Sequence, residues 1–382
     1  MSSDTSSPAS LRGWRPPSTL PPLYGAWIDD LLGASIPAET EATCQNCAMC
    51  EQPGRRTASG LPFLYKPETK CCTYVPTLRN FQVGLILNDD DPSFAAARAT
   101  VQARLDARAA VTPAGIGALP IQIALYRLGG ALAFGQNRTL RCPHYQDIDG
   151  GRCGIWRYRN AVCATWFCKH SRGPVGARFW QALEHLLSTV EHHLTRWCVG
   201  ELELDPEAMG RLVAPDTRHG ERLLDGSQID GTVDETAYRA TWGDWYGREA
   251  EFFRRAADLV RRLTWSDALA AAGAEGRLLA GVVAHRYRAL TSETLPERLA
   301  LGRVTAAAAD GGRMHVVPHG GAEGLDLPGE LWAALPAFDG RRTAVVLRAV
   351  AARHGLELQP SLLRKLVDFD VLVPVGDPAG AR

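Results

Sequence analysis

The chain has 382 residues, 46% of them apolar and 22% charged, and its acidic and basic residues are equal at 42 each. That length exceeds one ordinary core and predicts two or three domains, while the composition excludes a disordered chain. A net charge of zero removes the global electrostatic case for a nucleic acid or an anionic membrane as partner.

Residues 1–22, "MSSDTSSPASLRGWRPPSTLPP", are rich in Ser and Pro, lack the apolar run of a secretory signal, and read as a flexible lead-in. No uninterrupted apolar stretch reaches the ~18 residues a membrane helix needs, so no membrane partner is expected and the expected location is cytoplasmic. Thiols stay reduced there, and ten cysteines then point to metal or redox chemistry rather than a disulfide framework. Lys66, Lys70, Lys169 and Lys365 are the only lysines, read here as a bias of composition.

Residues 23–200 read as an irregular cysteine-rich metal-binding domain. "TCQNCAMC" carries Cys44, Cys47 and Cys50; "KCCTY" carries Cys71 and Cys72. "DPSFAAARATVQARLDARAAV" follows, a helix opening on an Asp/Pro start signal. "RCPHYQDIDGGRCGIWRYRNAVCATWFCKH" then adds Cys142, Cys153, Cys163 and Cys168, interleaved with Trp156, Tyr158, Trp166 and Phe167.

Beyond it, Phe179, Leu183, Leu186, Leu187, Val190, Leu194 and Trp197 recur at three- and four-residue steps, an amphipathic helix from near Pro174 to near Gly200. Cys168 and Cys198 lie near its opposite ends, about 40 Å apart at the helical rise, so Cys198 reads as a core thiol. Glu184, His185, Glu191, His192 and His193 read as its solvated face.

Residues 201–300 form a helical region, with one long pattern over 234–264 through Trp242, Trp245, Phe252 and Phe253 and another through "EGRLLAGVVAHRYRAL". Residues 301–382 read as a small α+β, winged-helix-like module. Its expected parts are a hairpin turning at Asp310-Gly311-Gly312, a helix from Asp339 to Gly355, a short helix and a closing strand. The whole is a mainly α protein.

A thiolate metal site needs several sulfurs converging on one point. The C-x2-C spacing supplies a pair in a tight knuckle whose backbone N–H groups aim at sulfur, and C-x2-C-x2-C supplies three, as in bacterial ferredoxins. The ferredoxin fourth position is Gly54 here, so the remaining ligand must come from a distant segment. An extended "KCCTY" would point Cys71 and Cys72 to opposite faces, away from a common ion. Nine clustered cysteines exceed what packing explains, and three evenly spaced ones favour an iron–sulfur cluster, [4Fe–4S] foremost, over zinc with its paired knuckles. His144 and His170 stand within two residues of a candidate thiolate and are further ligand candidates. The run Lys169–Arg172 is either an anion-holding loop or merely basic. No Walker loop, G-x-S-x-G or H-E-x-x-H occurs, and no residue is assigned a catalytic role.

On these residues the chain resembles the zinc- or iron-chelating cysteine-cluster family of the YkgJ type, whose pattern is C-x2-C-x2-C-C followed by further cysteines. Cys44, Cys47 and Cys50 match its first three positions. Glu51 replaces the adjacent cysteine, and the doublet comes later as Cys71-Cys72. Cys142, Cys153-Gly-Ile-Trp and Cys163 parallel the downstream half, so the resemblance covers about residues 40–170. Taken together, the residues predict metal binding through Cys44, Cys47, Cys50 and Cys72, with Cys142, Cys153, Cys163 and Cys168 completing that site or forming another and Cys71 a further candidate ligand. Flagellin lysine N-methylases look like relatives of that group, which would imply S-adenosylmethionine-dependent protein methylation. "FDGRRT" and "LVDFDVLVPV" are similar to the PqqD-like peptide-recognition fold, which implies a protein or peptide partner at the C-terminal module. Three functions are therefore expected as alternatives: redox or modification chemistry at an iron–sulfur centre, a structural zinc protein acting as a peptide-binding adaptor, and the methylase.

Overall fold

The structure, a computed structural model, describes residues 20–39, 44, 47, 49–50, 65–129, 133–148, 150–213, 233–319 and 324–376. Most of the expected lead-in, Gly54, and the last residues of the C-terminal module lie outside the described residues.

The protein is mainly α. In chain order, α1 (Pro22–Leu32) precedes β1 (Leu78–Arg79), α2 (Asn80–Leu87), α3 (Ala95–Asp106), β2 (Val111–Thr112), β3 (Gly115–Ile116) and α4 (Pro120–Gly129). A hairpin of β4 (Tyr145–Gln146) and β5 (Arg152–Cys153) leads to α5 (Ala161–Thr165) and α6 (Gly173–Glu201). Among the described residues α7 (Pro206–Val213), α8 (Glu235–Trp242), α9 (Glu249–Arg261), α10 (Trp265–Ala271) and α11 (Gly273–Thr291) follow. The C-terminal part holds β6 (Arg298–Leu301), β7 (Val304–Ala309), β8 (Arg313–Pro318), β9 (Leu325–Pro328), α12 (Gly329–Ala334), β10 (Asp339–Arg342), α13 (Thr343–His354), α14 (Pro360–Asp368) and β11 (Leu372–Pro374). Among the described residues no helix is long and apolar enough to cross a membrane.

Helix α6 is the scaffold. Its apolar stripe, including Phe179, Leu183, Leu186, Leu187, Val190 and Leu194, is fully buried against α1, α10 and α11, as the three-and-four spacing requires. Cys198 lies in this core, its thiol donating to the Ala256 carbonyl at 3.8 Å. A second core joins α2 and α3 to Trp242 of α8 and to Phe252 and Phe253 of α9. Residues on both sides of position 200 thus share two cores. A third belongs to residues 299–372 alone, with strand orders β10-β6-β11 and β7-β8-β9, all antiparallel.

Three expectations are corrected. The pattern over 234–264 is two helices, because Gly243 at φ +53 ends α8 and turns the chain. The helix expected from Asp339 starts at Thr343, since Asp339–Arg342 is drawn into pairing with β6. Glu191, expected on the solvated face, is 2% exposed. Its Oε1 accepts from the Tyr24 hydroxyl at 2.5 Å, Gln82 Nε2 at 3.1 Å and the Ala161 backbone N–H at 2.6 Å, with Arg79 Nε 3.7 Å from Oε2.

Helices α2 and α9 touch backbone to backbone at Gly84, where an added Cβ would stand 1.8 Å from the Phe253 carbonyl oxygen. Gly84→Ala is expected to destabilise by about 3 kcal/mol in urea unfolding, against the gain of ~1 kcal/mol that alanine brings to an unhindered helix. A stabilised variant would refute this packing.

Burial pushes the Glu191 carboxyl up to about 7, opposed by the Tyr24 bond and the Arg79 charge. The folded state therefore holds this proton more tightly than the unfolded chain does. The stability it contributes is complete below the ordinary value of 4.5 and is lost as pH rises through about 7. The wild type should lose roughly 3 kcal/mol more than Glu191→Gln between those limits, read from unfolding free energies at a series of pH values. Parallel profiles would refute the assignment.

Candidate metal centre

Five stretches of chain bring the nine candidate cysteines together. The first carries Cys44, Cys47 and Cys50; Cys50 N–H bonds the Cys47 carbonyl at 3.3 Å, and Cys50 bridges to Tyr65. The second is the turn before and through Cys71-Cys72. Lys70 there adopts φ +50, so the doublet sits in a turn and is not extended. The turn, not a strand, corrects the extended conformation expected for the doublet. Thr69 and Thr73 clamp this turn to Gly135 at 2.8 and 2.7 Å. Gly135, at φ +74, lies against the Tyr65 ring so closely that a Cβ would stand 2.0 Å from it.

The third stretch is the β4–β5 hairpin, which pairs Tyr145 with Cys153 and so returns Cys153 beside Cys142. Cys142 N–H donates to the Cys72 carbonyl at 2.7 Å, docking the hairpin on the doublet. The fourth is α5, where Asn160 Oδ1 caps the Cys163 N–H at 3.0 Å and Glu191 holds the first N–H, at Ala161. The fifth is the exit from α5, where Cys168 receives hydrogen bonds from the Tyr65 hydroxyl and the Trp166 indole.

Among the described residues, two cations are buried here. Lys70, 6% exposed, donates to the carbonyls of Cys44, Gly150 and Gly151, the last at 3.2 Å. It thereby ties the first cysteine stretch and the hairpin loop to its own turn. Arg159, 7% exposed, donates to the Cys163 carbonyl at 2.9 Å and stacks on Trp156 at 3.4 Å.

The thiols sense one another throughout. Hydrogen bonds from the Cys168 and Cys50 thiols pull Cys47 down to about 3. Those two donors are correspondingly raised. Burial, then the Cys153 charge, pushes Cys142 up to about 12, and burial pushes Cys153 up to about 11 and Cys163 well above its ordinary value. Backbone N–H groups point at three sulfurs in the knuckle sense: Met49 at Cys47, His144 and Tyr145 at Cys142, and Ile155 at Cys153. Among the described residues no three donors already stand in an arrangement that holds a single ion. Soft thiolates, knuckle N–H groups and buried positive charge nevertheless match the donor chemistry of an iron–sulfur cluster or zinc. A cavity of about 50 Å³ opens beside Cys44, Cys47, Cys71, Cys72 and Cys168, walled by half-exposed Trp166.

The other candidates fall elsewhere. His144 is buried with Nδ1 2.8 Å from the Thr100 hydroxyl, and burial lowers it to about 4, so the ring is neutral at pH 7. His170 packs on Phe167. Arg172 of the basic run is taken up by Asp368. Lys70 and Tyr65 were given no site role by the sequence, and Arg159 was noted only where the YkgJ-type pattern has Arg-Pro. A lysine directly before a cysteine doublet, in a chain with four lysines, was the available signal. Comparison with protein-family models, curated proteins and solved structures finds no match to this chain, so the YkgJ, methylase and PqqD-like resemblances rest on their residues alone.

Replacing Lys70 by Met leaves three carbonyls without their donor and is expected to cost about 3 kcal/mol in denaturant unfolding. Lys66→Met, at an exposed position nearby, should stay within about 0.5 kcal/mol of wild type. Equal effects would remove Lys70 from its tethering role.

Proposed function

We propose that this protein binds a soft metal through its clustered cysteines and holds an iron–sulfur cluster of [4Fe–4S] type. The observation that carries this is the gathering of nine free thiols from five stretches around two buried cations. The set exceeds the four sulfurs that one zinc site or one cluster takes. Thiol packing alone gives no reason to bury Lys70 and Arg159 among them, whereas anionic metal–thiolate groups do. A bound cluster would supply one-electron chemistry or an exchangeable metal position. The cavity beside Cys44, Cys47 and Cys168 would leave that side of the centre open to water-sized species, which favours redox chemistry over a purely structural metal.

Zinc is the second reading, favoured by the β4–β5 hairpin with knuckle N–H groups at both Cys142 and Cys153. Purification without oxygen, followed by metal and acid-labile sulfide analysis and a visible spectrum, separates the two. Iron with sulfide and a brown colour bleached by reductant is the expected result. Stoichiometric zinc in a colourless sample would transfer the proposal to the second reading, and absence of either metal would overturn both.

A further inference from the structure

We propose that the nine thiols form two separate four-cysteine metal centres, one held by Cys47, Cys50, Cys71 and Cys168 and the other by Cys72, Cys142, Cys153 and Cys163. This rests on the metal-binding reading above and adds the number of centres and their ligands.

The division follows from packing. Cys47, Cys50 and Tyr65 form a small core of their own, against which Cys71 and Cys168 pack. Within this set the Cys50 and Cys168 thiols both turn toward Cys47. Tyr65 and Trp166 both donate to Cys168, supplying the outer hydrogen bonds that ligand sulfurs receive. None of the hairpin cysteines belongs to this core.

The second set is assembled by different bonds. Cys142 is docked on the Cys72 carbonyl, β4–β5 pairing returns Cys153 to it, and Gly154 N–H closes the hairpin on the His144 carbonyl at 2.7 Å. Arg159 binds the Cys163 carbonyl and brings α5 to the same place.

The doublet divides the sets. Cα atoms of adjacent residues lie ~3.8 Å apart, so splitting Cys71 and Cys72 between centres makes those centres immediate neighbours. Each set has the four sulfurs that a tetrahedral zinc site or a four-cysteine cluster takes. Cys44 is left over. It lines the cavity together with Cys71 and Cys72, a position suited to neither set exclusively.

Titration of the metal-free full chain with Co2+ alone, under oxygen exclusion, counts the centres by the sulfur-to-cobalt absorption of tetrahedral thiolate sites. The wild type is expected to take up about two equivalents. The pair Cys50→Ser/Cys168→Ser should retain about half of that absorption, as should Cys142→Ser/Cys153→Ser, while Cys44→Ser should keep all of it. Saturation of the wild type at one equivalent would overturn the two-centre assignment and leave metal binding intact. Loss of all cobalt from either double variant that keeps wild-type circular dichroism would also overturn it. No thiolate-bound cobalt in the wild type would instead overturn metal binding itself. The wild-type count decides the matter even if a double variant fails to fold.

Discussion

Most of the N-terminal architecture hangs on one oxygen atom. Glu191 Oε1 accepts three hydrogen bonds, from Tyr24 of α1, Gln82 of α2 and the first N–H of α5. A buried polar atom must be satisfied, and each missing donor would cost on the order of 1–3 kcal/mol. Three elements distant in sequence are therefore set against the middle of α6 by one side chain. The bond to Ala161 matters most for chemistry, because it fixes the start of the short helix that carries Cys163. Arg159, two residues before that start, then reaches the Cys163 carbonyl. The downstream half of the cysteine cluster is in this way hung on the long helix.

Charge decides what such a cluster can be. Neutral thiols are small apolar groups that pack without assistance. They need neither a lysine held by three carbonyls nor an arginine stacked on Trp156 in their midst. Thiolates need both, since unit charges in a low-dielectric interior repel strongly, and two side-chain cations offset only part of a nine-sulfur set. A metal bound as proposed would supply the remaining positive charge.

Much of this was legible in the sequence because it was periodic. The stripe from Phe179 to Leu194 gave α6 nearly to the residue, and Asp310-Gly311-Gly312 gave the β7–β8 turn. What escaped was what one dimension does not encode. A glutamate on a helix reads as solvated unless its partners are known, and those of Glu191 lie 30, 109 and 167 positions away. The doublet Cys71-Cys72 reads as extended unless the left-handed turn at Lys70 is seen. Cysteine spacing identified the cluster, yet it could not show that Cys168 joins Cys47, a pairing made through tertiary packing.

The C-terminal part is joined to this scaffold by more than the chain. Arg172, at the entry to α6, binds Asp368 through Nε and, at 2.8 Å, through a terminal nitrogen, and it also donates to the Leu290 carbonyl at the end of α11. Asp368 is 2% exposed, so the pair is shielded and its partners cannot be exchanged cheaply for water. One residue on, Gly173 at φ +49 lies where a Cβ would stand 2.8 Å from the Phe369 ring. One turn further, Arg178 meets Asp370 at 3.0 Å. Cys168 therefore lies only a few residues from the junction that seats the third core. The position of that core is referenced to the cysteine cluster through a short segment bonded along its length, not through a linker, and a displacement of Cys168 would have to be absorbed within those few residues or passed to Asp368.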